Sequence, residues 1–149
     1  MGALLTETVS SDIEIGTGAA RILEILCDFE AYPEWARSVK EARIVERDAE
    51  GRPAKVEFRV APGPLPEVRY VLSYTYAPDG ISWDYVEGDL KEVRGSYALE
   101  ESDGVTRVTY HLAIDPGRLR LPGFVKSRAA REITRVALKE LKRRAESSR

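Results

Sequence analysis

Residues Leu121 to Ser148 read LPGFVKSRAAREITRVALKELKRRAESS, the only segment long enough and periodic enough to be a major helix. Plotted at about 100° per residue, Val125, Ala129, Ala130, Ile133, Val136, Ala137 and Leu141 fall on one half of the circumference. Arg128, Arg131, Arg135, Lys139 and Lys142 share the other half, so one face is expected to be buried and the other wet. Pro122 stands where a missing N–H costs nothing, at a helix start, and basic residues in the last turns suit the negative end of the helix dipole. Everything before this stretch reads mainly as strands. One sheet must therefore bury one helix, and the room left between them is where function is to be sought.

Upstream, Leu5 to Ile15 alternates as a half-buried strand, with Val9, Ser11, Ile13 and Ile15 on one side. After Gly16-Thr17-Gly18 comes a short apolar helix, Ala19 to Cys27, and then a second short turn running from Asp28, a potential cap, toward Trp35. Pro33 disfavours helical geometry at Tyr32, which predicts a bend there. From Val39 onward, turn signals at Glu50-Gly51, Gly63-Pro64, Asp79-Gly80, Gly88-Asp89 and Asp103-Gly104 separate six strand-like runs. Val56, Phe58 and Val60 oppose Lys55, Glu57 and Arg59, and Val108, Tyr110, Leu112 and Ile114 oppose Arg107, Thr109 and His111. One apolar and one solvated face is the pattern of an antiparallel sheet covered on one side. The expected class is α+β: a seven-stranded curved antiparallel sheet around a long C-terminal helix, with two short helices between strands 1 and 2.

The 149 residues, 43% hydrophobic and 32% charged, fit a single domain spanning 1–149. A lone cysteine, Cys27, excludes an internal disulfide and a cysteine-based metal cluster. With no signal-peptide pattern and no run of membrane-spanning length, a cytoplasmic protein without a transmembrane segment is expected. The net charge of −2 is unevenly spread: residues 123–149 carry nine Lys or Arg against three Glu, about +6, which leaves about −8 for residues 1–122. Such a balance matches either a solvated helix face or an acidic partner; DNA is not expected, and ribosome or RNA association is the lesser reading.

Several stretches together carry a family resemblance: Asp28-Phe29-Glu30-Ala31-Tyr32-Pro33-Glu34-Trp35; Ile81-Ser82-Trp83 with Gly88-Asp89-Leu90-Lys91; Gly95-Ser96-Tyr97-Ala98-Leu99; and Thr106-Arg107-Val108-Thr109-Tyr110. They resemble the polyketide cyclase/dehydrase and coenzyme-Q-binding branch of the START-like (SRPBCC) superfamily, over nearly the whole chain. That resemblance implies the helix-grip fold, strand order 1-7-6-5-4-3-2, and a hydrophobic cavity between the concave sheet and the C-terminal helix. The superfamily includes lipid and quinone carriers, aromatase/cyclases and ribosome-associated proteins.

The parity of the strands turns Phe58, Tyr70, Tyr74, Tyr76, Trp83, Tyr85, Tyr97 and Tyr110 inward, and each phenol needs a partner if buried. A ligand site is expected on Trp35, Phe58, Tyr70, Tyr74, Trp83, Tyr85, Tyr97 and Tyr110, facing Val125, Ala129 and Ile133 of the helix. Gly95 and the helix alanines are expected to leave a cavity of several hundred Å³, the size of a drug-like ligand. Glu87 shares the parity of Trp83 and Tyr85, which makes it the one candidate catalytic acid or base. Lys126 lies in the apolar stripe, where it meets either a ligand carboxylate or water. His111 falls on the solvated face, which disfavours a Ser-His-Asp triad, and no metal site or cofactor is expected. Ala61 to Pro66 and Asp115 to Pro122, with Leu119 and Leu121, are expected to frame an entrance. The reading is a protein that binds or carries a hydrophobic or aromatic small molecule; a polyketide cyclase or dehydrase-like enzyme is the rival.

Overall fold

The computed structural model describes residues 8–61, 66–115, 117 and 126–147. The chain runs β1 (Val9–Ile15), α1 (Ala19–Cys27), a 3₁₀ helix (Phe29–Glu34), then β2 (Val39–Arg47), β3 (Pro53–Val60), β4 (Val68–Ala77), β5 (Gly80–Gly88), β6 (Glu92–Ser102) and β7 (Val105–Asp115). It closes with α2 (Lys126–Ser147). All seven strands form one antiparallel sheet in the order β1-β7-β6-β5-β4-β3-β2, the expected one. Asp103 and Gly104, both with positive φ (53° and 78°), make the tight β6–β7 hairpin that an Asp-Gly pair favours.

Helix α2 lies chiefly on β1 and β7, and the 3₁₀ helix packs on β2. Its buried row is Ala130, Thr134, Leu138, Leu141 and Ala145, spaced by three or four residues as one helix face requires. Val136, expected on that face, is 43% exposed. Thr134 instead occupies the buried row, because its hydroxyl finds a partner in Ser11 Oγ on β1, 2.8 Å away, and donates to the Arg131 carbonyl. Two further polar ties hold α2 to the β1 end: Lys142 Nζ donates to the Glu14 carbonyl, and the Gly16 N–H donates to Glu146. Arg128, Arg131, Arg135 and Lys139 are exposed as expected, whereas Lys142 is half-buried in this seam.

The first turn of α1 has no cap of its own. Gly18 at its N-cap carries no side chain, and the carboxylate of Glu101 on β6 reaches across to accept from the Ala19 N–H. Asp28 precedes the 3₁₀ helix without capping it, and Pro33 sits inside that helix rather than bending the chain at Tyr32. A 3₁₀ turn loses only one bond to a proline, and the next N–H groups still pair: Trp35 and Ala36 both donate to the Tyr32 carbonyl. Among the described residues no helix is long and apolar enough to cross a membrane.

Candidate functional site

The concave face of the sheet carries a continuous aromatic lining. Cross-strand register sets Phe58 opposite Tyr70, Tyr74 opposite Trp83, and Tyr97 opposite Tyr110. The rings then touch in sequence: Trp35 meets Tyr32 at 4.9 Å between centroids, Phe29 meets Tyr74 at 4.6 Å, Tyr74 meets Trp83 at 5.8 Å, and Trp83 meets Tyr97 and Tyr110 at 5.5 and 5.7 Å. Tyr97 and Tyr110 are 4.5 Å apart. Such tilted and edge contacts add to the large apolar area each ring buries.

Phe29 and Tyr32 belong to this lining although the strand pattern could not include them. In a 3₁₀ helix, residues three apart eclipse one another, so Phe29 and Tyr32 share a side and both reach Phe58. That spacing was the available signal. Phe29 is fully buried, and Tyr32 donates its hydroxyl to the Leu26 carbonyl at the end of α1.

The tyrosines divide into two sets by what their hydroxyls do. Tyr32, Tyr76 and Tyr85 donate to the backbone carbonyls of Leu26, Pro53 and Leu90 at 2.6, 2.6 and 2.7 Å. Tyr70, Tyr74, Tyr97 and Tyr110 make no hydrogen bond among the described residues, and none of the buried side-chain nitrogens or oxygens there lacks a partner. Their four hydroxyl oxygens therefore border space that water can reach, although Tyr97 and Tyr110 are only 7% and 8% exposed and Tyr70 and Tyr74 are half-buried. Burial holds all four phenols well above their ordinary range, so at neutral pH they are protonated donors. The cavity-forming role expected of Gly95 is not observed. The Trp83 indole packs against it, and a Cβ built on Gly95 would stand 2.6 Å from Trp83 Cζ2. Missing side-chain volume at Gly95 is filled by the indole.

Of the remaining expected residues, Ala129 and Ile133 are half-buried on α2, Tyr85 is half-buried, and its hydroxyl is spent on the β5–β6 turn. Val125 lies outside the described residues, as do Leu119, Leu121 and residues 62–65 of the expected entrance; nothing is described of the Lys126 side chain. Trp35 is half-buried at the other end of the lining, where two clefts of about 390 and 270 Å³ flank it and share Arg144. Arg144 pairs with Glu34 at 2.9 Å, joining α2 to the 3₁₀ helix there. Apart from Trp35, the expected ligand-site residues do not line these clefts.

Glu87 does not point inward. The register slips between Val71 and Leu72, which pair with Glu87 and Tyr85, so Val86 is an extra residue in β5. This β-bulge reverses the parity that follows it. Glu87 lands on the outer face beside Arg69, 3.6 Å away and 63% exposed, at the end of an ion row that runs from Arg43 through Glu57 and Arg69. His111 also faces outward, hydrogen-bonded to Ser10 Oγ at 2.7 Å. Cys27 is half-buried, and burial pushes its thiol up, which suits a packing residue rather than a nucleophile. Among the described residues no cluster of His, Cys, Asp or Glu could hold a metal ion.

Comparison with solved structures places this geometry in a known architecture. A START superfamily protein from Mycobacterium smegmatis superposes with a TM-score of 0.82 at 23% identity, covering 94% of this chain and 97% of that one. The Zhui aromatase/cyclase from Streptomyces superposes with a TM-score of 0.74 at 14% identity, covering 95% and 94%. A STAR-related lipid transfer protein from Xanthomonas axonopodis gives 0.73 at 15%, covering 93% and 85%. At such identities the likeness establishes the helix-grip fold. Among proteins of curated function none matches the chain. The profile of one sequence family, described as polyketide cyclase / dehydrase and lipid transport, matches residues 6–146. With that span covering nearly its whole length, the chain belongs to the polyketide cyclase / dehydrase and lipid transport family.

Proposed function

We propose that this protein binds a hydrophobic, ring- or chain-bearing small molecule between the concave sheet and α2, and that it carries or presents that molecule rather than transforming it. The observation that carries the reading is the set of four inward phenols, Tyr70, Tyr74, Tyr97 and Tyr110, whose hydroxyls have no partner among the described residues and border water-accessible space. An apolar wall with a few convergent donors is what recognises a lipid, quinone or polyketide-like molecule: the rings supply area and the hydroxyls orient a carbonyl or hydroxyl. Membership of a family described by both lipid transport and polyketide cyclisation supports the ligand class. Carriage is favoured over cyclase or dehydrase chemistry because Glu87, the one acid–base candidate of the sequence, stands on the outer face, as does His111. Phenols held protonated are poor proton acceptors near neutral pH.

The test uses the apolar fluorophore N-phenylnaphthylamine. Wild type should bind it saturably. Ala129→Trp, which projects an indole from the half-buried position on α2, should keep a cooperative melt and lose the binding. In a solid interior the same change would cost about 1–3 kcal/mol by overpacking. A wild type that does not bind the probe, joined to a strongly destabilised variant, refutes the reading. Turnover of a poly-β-carbonyl substrate would replace carriage by catalysis.

A further inference from the structure

Most exposed arginines of the sheet are paired, while Arg37, Lys40, Arg47 and Lys91, like four basic residues of α2, have no carboxylate partner among the described residues; only those of α2 share one helix face. On the sheet and its turns, Arg43, Arg52, Arg59, Arg69, Arg94 and Arg107 each lie against at least one carboxylate. On the outer surface of α2, Arg128, Arg131, Lys139 and Arg143 are exposed, and none of the four meets a carboxylate among the described residues. Arg135, in the same row, is the exception, paired with Glu132. From Arg128 to Arg143 the row extends about 22 Å along a helix rising about 1.5 Å per residue. A chain of net charge −2 thus holds, along one helix, a cationic stripe of which four members have no carboxylate partner among the described residues.

We infer that this stripe of α2 docks the protein on an anionic membrane surface. A flat sheet of phosphate headgroups can be reached by long basic side chains fanned over about 120° of one helix face, and needs no shape of its own. The buried centre of a protein–protein interface is depleted of charge and enriched in aromatic residues, whereas Val136 is the one large hydrophobic side chain exposed on α2 among the described residues. Single-stranded nucleic acid would require aromatic platforms for its bases, and the row contains none. Each basic residue held at an anionic surface is worth roughly fivefold in partitioning, so four unpaired cations give several hundredfold. The inference concerns where the protein sits and not what it binds inside. Vesicle binding is measured without cargo, so failure there leaves the interior reading intact, and failure of probe binding leaves the membrane reading intact.

The experiment is co-sedimentation of the full chain with phosphatidylcholine vesicles and with vesicles of equal parts phosphatidylcholine and phosphatidylglycerol. Wild type should partition only onto the anionic vesicles and release at about 1 M salt, where the screening length is about 3 Å. The variant Arg128→Gln, Arg131→Gln, Lys139→Gln, Arg143→Gln should lose at least about a hundredfold. A charge-matched control, Arg43→Gln, Arg59→Gln, Arg94→Gln, Arg107→Gln, should stay within about tenfold of wild type, because its cations are already neutralised. If the fourfold helix variant does not melt cooperatively, the pairs Arg128/Arg131→Gln and Lys139/Arg143→Gln are each expected to lose roughly twentyfold. Wild type that ignores anionic vesicles, equal losses in the two variants, or tighter binding to a single-stranded oligoribonucleotide than to vesicles at the same salt would overturn the inference.

Discussion

The division of the tyrosines into two sets gives a measurable contrast. Replacing Tyr32 by Phe removes a hydroxyl that donates to the Leu26 carbonyl at 2.6 Å in a part-buried position. The lost bond is worth about 0.5–1.5 kcal/mol, and the orphaned carbonyl raises the cost to about 1–3 kcal/mol. For a chain of this length each kcal/mol shifts Tm by about 2–4 °C, so Tyr32→Phe should lower Tm by several degrees. Tyr76→Phe, which frees the Pro53 carbonyl, should fall nearer the lower figure because that end of β4 is half-exposed. The fourfold variant Tyr70→Phe, Tyr74→Phe, Tyr97→Phe, Tyr110→Phe breaks no hydrogen bond to the described residues and keeps every ring. Its total effect should stay within about 1 kcal/mol of wild type, as for substitutions that cost no packing. Urea denaturation read by tryptophan fluorescence gives both numbers. With ligand the order should invert: the fourfold variant should keep an apolar probe such as naphthalene but lose its preference for naphthol, about 0.5–1.5 kcal/mol per bond made, whereas Tyr32→Phe should keep it. If the fourfold variant is as unstable as Tyr32→Phe, the interior hydroxyls are bonded within the protein and the space beside them is not a site.

Two further outcomes are expected. All seven tyrosines have phenols held above the ordinary value near 10, with burial the first cause in each. The unfolded chain therefore releases these protons first: stability is complete below pH about 10 and falls as pH rises further, by about 1.4 kcal/mol per pH unit for each buried phenol still protonated in the folded state. Tyrosinate absorbance and far-ultraviolet circular dichroism should then change together in a base titration, and ionisation of the buried phenols in a chain with native dichroism would contradict this. Gly95→Ala should destabilise by at least about 1–3 kcal/mol, since its Cβ meets Trp83 Cζ2 at 2.6 Å and the His111 carbonyl at 2.7 Å. In a Trp35→Phe background it should also shift Trp83 emission; unchanged stability and emission would show that the indole does not rest there.

The sheet was legible because most of its strand residues follow a period of two with turn residues between, and α1 was legible as an apolar run bounded by Gly18 and Asp28. The errors came where a local event altered the period. A single extra residue, Val86, leaves no mark in composition, yet it carried Glu87 from the inner face to the outer one. On α2 the apolar positions alone centred the buried stripe toward Val136, because a polar residue such as Thr134 is not expected inside unless its partner, Ser11, is already known. Long-range pairing decides both cases. Gly95 shows the same limit: absence of a side chain reads as empty volume until the opposite strand is seen to lay Trp83 over it.

The uneven fastening of α2 gives the interior a mechanical character. Leu138, Leu141 and Ala145 sink into the core near its C-terminal end, where Arg144, Lys142 and Glu146 are tied to Glu34, Glu14 and Gly16. Toward the other end the helix offers Ala129, Ala130 and Ile133, and among the described residues a single hydroxyl pair, Ser11 with Thr134, bridges it to β1. Burying a leucine is worth about 1.5–3 kcal/mol and burying an alanine far less, so among the described residues α2 is held more firmly in its C-terminal half. Bending the described N-terminal half away from the sheet would expose little of its own apolar surface, at a cost far below that of global unfolding. For the ligand proposed above, the wall supplied by this half of α2 would be elastic and not rigid, able to yield to molecules of different girth.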